Sequence, residues 1–174
     1  TTAIGANITT SGTQLYSGAV TLASATTLTT TNSNVTFSSS LNSSSSTARA
    51  LTITAGTGTV TMNGAVGGTN VLGATTITAA AFTTGASGTI AMGANALTIN
   101  TDAIALGAAI SGSSTLTIAQ KLLPPQFIGT SATGDLKLDD TELGYLSDGF
   151  SSLTFGSASA TGKITGGAFT YSDY

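Results

Sequence analysis

The sequence predicts an all-β solenoid, a parallel β-helix with one short helix near its C-terminal end. Three observations predict it. Apolar residues alternate with small polar ones in short bursts, the period of a half-buried strand. The bursts recur about every 20 residues, the mark of a repeat architecture. Helical periodicity is confined to one stretch late in the chain. The segment "ALTITAGTGTVTMNGAVGG", residues 50–68, shows the unit. Its two bursts, Leu51-Thr52-Ile53-Thr54 and Val60-Thr61-Met62, are divided by glycines and small residues.

Taking Leu28, Leu51, Leu97 and Leu116 as equivalent positions gives gaps of 51−28 = 23, 97−51 = 46 and 116−97 = 19 residues. The gap of 46 is two repeats of 23, with "TTITA" at 75–79 as the intervening member. The second bursts are Val35/Phe37, Val60/Met62, Ile90/Met92 and Ile104/Leu106. A third element follows at Leu41, Val66 and Ile110. Three short strands and tight turns in such a unit make one coil of a parallel β-helix. Coils stack about 4.8 Å apart, and seven or eight of them would form a rod roughly 35 Å long. Gly and Asn supply the unusual dihedrals of the corners. Leu51, Ile53, Val60, Met62, Leu97 and Ile99 are expected in one core.

Only 6% of the 174 residues are charged, so the hydroxyls of Ser and Thr must form the wet surface. A Ser/Thr/Gly-rich chain can be disordered, but a 40% hydrophobic content and a mean hydropathy of +0.34 supply a core. A net charge of −3 opposes a nucleic-acid partner, which needs a basic patch. With no Cys there is neither a disulfide nor a thiolate metal site. The longest apolar run, "AIALGAAI" at 103–110, is too short to span a membrane. The chain starts at Thr1 without Met or signal peptide, and is expected to be a processed product or an excised piece.

One domain is expected over 1–174. Regular coils fill 1–120, a Pro-containing segment and a short helix fill 121–150, and a further coil fills 151–174. Pro124 and Pro125 of "KLLPPQ" cannot donate to a sheet ladder. In "LDDTELGYLSDGF" Asp139 is placed to cap a helix over 139–149, with Glu142 completing a capping box. Leu138 and Leu143 stand where a hydrophobic staple would put them, Leu143, Leu146 and Phe150 share a face, and Gly149 ends the helix. The helix reads as an insertion between coils, or a lid on one end. "SLTFG", "GKIT" and "AFTY" then return to strand pattern.

Two long stretches carry a resemblance. "ITTSGTQLYSGAVTLASATTLTTTNSNVTFSSSLNS" and "LKLDDTELGYLSDGFSSLTFGSASATGKIT" resemble the repeats of large secreted bacterial surface proteins of the filamentous-haemagglutinin type. In the second, a Leu-rich acidic turn precedes "GFSSLT". The resemblance implies a right-handed parallel β-helix, export across the cell envelope, and adhesion or matrix building at the cell surface. It carries over no catalytic residue. The N-terminal secretion signature of such exoproteins is absent, as in a fragment from the middle of a longer rod.

The chain has no His, which removes Ser-His-Asp and His-metal sites. "SASATGKIT" is similar to a phosphate loop, but Gly156 lies one residue too far from Gly162-Lys163, and Ile164 replaces the needed Ser or Thr. A tight turn is the simpler reading. Five of the seven acids lie together: Asp135, Asp139, Asp140, Glu142 and Asp148. They are read as a capped, solvated helix, with calcium ligation as the alternative. Arg49, Lys121, Lys137 and Lys163 are scattered and form no basic face. No catalytic residue, metal or cofactor is expected.

If Leu51 and Ile53 point inward, Thr52 and Thr54 point outward. The same alternation exposes Thr29/Thr31, Thr76/Thr78, Thr98/Asn100 and Thr115/Thr117. These would form a two-column hydroxyl rank along one face. The plain reading is that Thr is the polar residue that suits strands. The functional reading is a lattice that binds ice or a glycan. The expected function is thus a non-enzymatic structural or adhesive solenoid outside the cell, a segment or subunit of a filament or large adhesin. An ice- or glycan-binding module is the second reading, and a degenerate carbohydrate-active enzyme the third. Strand pattern at both "TTAIGANITT" and "AFTYSDY" leaves both ends uncovered. Axial continuation of the polypeptide, or head-to-tail self-association, is therefore expected.

Overall fold

The computed structural model describes residues 1–121, 126–128, 136–156 and 165–166. The first turn consists of β1 (Thr2–Ile4), β2 (Ile8–Thr10) and β3 (Gln14–Tyr16). The second consists of β4 (Val20–Leu22), β5 (Thr26–Thr30) and β6 (Val35–Phe37). Next come β7 (Leu41–Ser43), β8 (Leu51–Thr54) and β9 (Thr59–Met62). Longer strands follow: β10 (Thr75–Thr84), then β11 (Ile90–Ala91) and β12 (Leu97–Ala105), then β13 (Ile110–Ser111) and β14 (Thr115–Ala119). After these stand β15 (Gln126–Ile128), β16 (Leu136–Leu138), α1 (Asp140–Leu143), β17 (Ser152–Phe155) and β18 (Thr165–Gly166).

Every pairing between these strands is parallel, and those among β1 to β14 and β17 join one turn to the next, so the chain is a β-solenoid; β16, β15 and β18 form a separate three-stranded sheet. Three faces result. The first stacks β2, β5, β8, the start of β10, the start of β12, β14 and β17. The second stacks β3, β6, β9 and the later halves of β10 and β12. The third stacks β1, β4 and β7, then continues through Val66, β11, β13 and Leu146. In place of the seven or eight coils expected, there are about five complete turns. β13 with β14, and Leu146 with β17, add two partial ones.

Alternation within each strand builds the core. Inward residues stack on their counterparts: Ile8, Leu28, Ile53, Ile77, Ile99 and Ile118 on the first face. Val20, Leu41, Val66, Ile90, Ile110 and Leu146 line the third. Leu51, Ile53, Val60, Met62, Leu97 and Ile99 are all buried in this core, as the alternation requires. Spacings along the first stack, 28−8, 53−28, 77−53, 99−77 and 118−99, are 20, 25, 24, 22 and 19 residues. The coils shorten at the corner between the first two faces. There β10 and β12 run through without a break, where earlier turns need a loop.

Two assignments shift. Leu28 stacks on Ile53, and the partner of Leu51 is Thr26, so the first repeat is displaced by two residues from the expected register. Ile90 belongs to the third face, between Val66 and Ile110, and Phe82 holds the second-face position beside Val60.

The corners use Asn in two ways. Asn32 has φ 54 and supplies the left-handed turn expected of it. Asn side chains also replace missing ladder bonds. The Oδ1 atoms of Asn7, Asn32, Asn34 and Asn42 accept from the N–H groups of Thr27, Thr57, Thr59 and Thr69 in the following turn, at 2.8, 3.1, 2.9 and 2.9 Å. Corner amides that find no carbonyl thus still find an oxygen.

The helix is shorter than expected. α1 is a single turn that ends at Gly144, not at Gly149. Leu146 is drawn off the helix face into the third-face stack, where it bridges Ile110. The capping box itself is present. Asp139 Oδ1 accepts from the Thr141 and Glu142 amides at 3.0 Å, and Glu142 Oε2 accepts from the Asp139 amide at 3.0 Å. Glu142 Oε1 accepts from the Leu106 amide, also at 3.0 Å, which ties the helix to the side of the solenoid. The helix therefore lies between coils, ahead of β17. Pro124, Pro125, Asp135, Gly162, Lys163, Ile164 and "AFTYSDY" lie outside the described residues.

Candidate functional site: the hydroxyl face

The outward positions of the first face form the strongest candidate. Strand pairing sets Thr27, Thr52, Thr76, Thr98, Thr117 and Thr154 in one column. A second column holds Thr9, Thr29, Thr54, Thr78, Asn100 and Ala119. Neighbours within a column are about 4.8 Å apart, and the columns are about 6.6 Å apart, two residues along a strand. Thr52 and Thr154 are exposed, and Thr27, Thr76, Thr98 and Thr117 are half-buried by their neighbours. Asn100 Nδ2 reaches Thr78 Oγ1 at 3.5 Å, the long limit of a hydrogen bond.

Seven of the nine threonines expected in the rank, Thr29, Thr52, Thr54, Thr76, Thr78, Thr98 and Thr117, stand in these two columns. Two do not. Thr31 lies beyond the end of β5, and Thr115 pairs with Ser152, one step along the strand from the rank. Thr27 and Thr154 take their places. The displacement of Thr31 has a chemical cause. Thr26 and Thr75 occupy inward positions in the column of Leu51 and Leu97. Their hydroxyls donate to the carbonyls of Ser24 and Gly73, at 3.1 and 3.0 Å, which lets a polar residue sit in the core. A buried Thr and an exposed Thr look alike in the sequence.

The first turn holds a second polar group that strand pattern did not single out. Gln14 stands inward on β3, under Val35, and is only 5% exposed. Its Nε2 reaches across the core to Thr29 O at 3.0 Å, Thr10 Oγ1 at 3.3 Å and Ile8 O at 3.4 Å. The Tyr16 hydroxyl donates to Gln14 Oε1 at 2.9 Å, and its ring stacks on Phe37 with centroids 4.7 Å apart. Burial raises the Tyr16 pKa above its usual value of 10.0.

Charged groups gather into no site among the described residues. Asp139 and Glu142 are spent on the cap and on Leu106. No three of His, Cys, Asp or Glu come together there. Lys121 Nζ donates to the carbonyl of Gly56 at 2.5 Å, clasping a lower corner of the solenoid. No described helix is long and apolar enough to cross a membrane. Comparison with protein-family models, curated proteins and solved structures returns no match.

Proposed function

We propose that the chain is a non-enzymatic structural or adhesive solenoid of the cell exterior, a segment or subunit of a filament or a large adhesin. The observation that carries the reading is the stack itself. Successive turns spend their backbone groups, corner amides and core on one another, and what the first face presents outward is an uncharged rank of hydroxyls. Such a surface suits repeated weak contacts with another extended surface. The resemblance to filamentous-haemagglutinin repeats supports the same reading. Axial continuation of the rod, or association with further copies, extends it.

The register of the rank favours a second reading, recognition of ice or a glycan. Six threonines in one unbroken column, with a second column beside it, form a more regular lattice than the sequence spacing promised. Electron microscopy of the assembly from its natural source, beside thermal-hysteresis and glycan-array assays of the chain, tests both. The structural reading predicts rods with strands perpendicular to their length, and no hysteresis. Compact particles would overturn it. Hysteresis or glycan retention that disappears in Thr76→Lys, with the fold intact, would establish the second reading instead.

A further inference from the structure

We infer that the Asn63-Gly64 pair, at the corner between the second and third faces, is a self-modifying site. The Asn63 side-chain amide hydrolyses there without an enzyme and leaves a carboxylate on a chain in which only 6% of residues are charged. The corner lies between the end of β9 at Met62 and the third-face residue Val66. The inference is independent of the function proposed above.

Asparagine hydrolysis of this kind starts when the backbone nitrogen of the next residue attacks the side-chain carbonyl. It needs a following residue with no side chain in the way, and a carboxamide free to turn into line. Asn63 meets both needs. It is the only asparagine of the chain followed by Gly. At other corners the Oδ1 atoms of Asn7, Asn32, Asn34 and Asn42 are held by amides of the following turn. Asn63 is exposed, and its side chain makes no hydrogen bond among the described residues. The peptide between Asn63 and Gly64 is free as well. The Asn63 amide donates to Phe37 O at 2.8 Å, and Met62 O accepts from the Gly85 amide at 2.9 Å. Neither the Asn63 carbonyl nor the Gly64 amide has a partner among the described residues. This one peptide can therefore turn while its neighbours hold.

In the first step the Gly64 nitrogen bonds to Asn63 Cγ, and the side-chain NH2 leaves as ammonia, carrying the proton of the Gly64 amide. Water then opens the cyclic imide. Cleavage of the new bond to Cγ leaves Asp at this position. Cleavage of the bond to the α-carbonyl leaves an isoaspartyl link, with one extra carbon in the backbone. Water is the sole co-reactant, and nothing is oxidised or reduced. Either product adds one negative charge to a net charge of −3. The isoaspartyl form also strains the corner, because Met62 and Val66 on either side of it are fixed in the core. Gly64 itself lies so close to the turn below that a Cβ on it would run into the backbone of Ser39. The glycine that permits the attack is thus one that the fold requires.

The test is to age the folded chain in mildly alkaline buffer and follow each asparagine by peptide mapping and mass spectrometry. Asn63 should convert about tenfold faster than any other asparagine, and within about threefold of its rate in the urea-unfolded chain. Methyl transfer by an isoaspartyl methyltransferase should label the same peptide. Asn63→Gln, whose longer side chain closes the ring far more slowly, should fold as the parent does and show no acidic shift on isoelectric focusing over the same period. Conversion at Asn63 no faster than at Asn7 or Asn34 would overturn the inference. So would conversion confined to the unfolded chain, or an acidic shift that persists undiminished in Asn63→Gln. Should that variant fail to fold, the peptide map of the parent decides alone.

Discussion

Ile53→Asp is expected to abolish the folded state of at least the turns that flank β8. Ile53 is fully buried, between Leu28 below and Ile77 above. Removing a buried Ile side chain costs about 2–5 kcal/mol by itself. An uncompensated carboxylate adds several kcal/mol more, or must be protonated to stay inside. Total stability for a domain is about 5–15 kcal/mol, so the two together consume most of it. In a solenoid each turn rests on its neighbours, and the loss spreads to both sides of the defect. Circular dichroism and hydrogen exchange should show strand signal and amide protection lost around β5, β8 and β10. Ile53→Val, which keeps the column apolar, should melt within a few degrees of the parent. A folded Ile53→Asp chain with the parental melting temperature would refute the inward register of β8.

Gly67→Val is the second large effect. Gly67 turns the chain after Val66 with φ +72, a conformation that a β-branched residue adopts only under strain. A Cβ at this position would also run into the carbonyl of Ala91, in the next turn. That turn cannot shift freely, because the Ala91 amide donates to Val66 O at 2.9 Å and the Gly67 amide donates to Leu41 O at 2.8 Å. Left-handed strain costs about 1–3 kcal/mol and overpacking a similar amount. The melting temperature should fall by on the order of 5–20 °C for a chain of this size. The adjacent glycine is the control. A Cβ on Gly68 meets only the Ala65 methyl, at 3.5 Å, an ordinary contact. Gly68→Val should therefore lose far less than Gly67→Val, and equal losses would show that the close approach of the two turns is wrong.

The solenoid was legible because its core obeys simple alternation. Bursts such as Leu51/Ile53 and Val60/Met62 can be buried together in only one way, and glycines and small residues leave room for the turns between them. The register was less legible. Thr26 hides its hydroxyl on the Ser24 carbonyl and passes for a surface residue, which moved the first repeat by two positions and misplaced Thr31; Thr115 precedes Leu116 on its strand and so falls one step outside the columns that Thr98 and Asn100 continue. Ile90 and Met92 have the spacing of a second-face burst, yet the long β10 had already supplied that face through Phe82. Asp139 and Glu142 revealed the cap, because a capping box is local chemistry. Where α1 stops is not local, since Leu146 is claimed by a residue 36 positions away, 146−110. Gln14 left no signal in the pattern. Its role depends on oxygens of Thr29 and Ile8 that only the closed turn brings within reach.

Distances along the threonine column test the stacking most directly. Thr27, Thr98, Thr117 and Thr154 are far apart in the chain but three, four and five turns apart from Thr27 in space. Spin-label pairs at Thr27/Thr98, Thr27/Thr117 and Thr27/Thr154 can be measured by pulsed electron paramagnetic resonance. A parallel stack of turns gives separations that rise in equal steps of about 4.8 Å, near 14, 19 and 24 Å. The last step should match the others even though 37 residues, 154−117, separate its two threonines. Unequal steps, or a Thr27/Thr154 distance that does not exceed Thr27/Thr117, would contradict the parallel stack of turns.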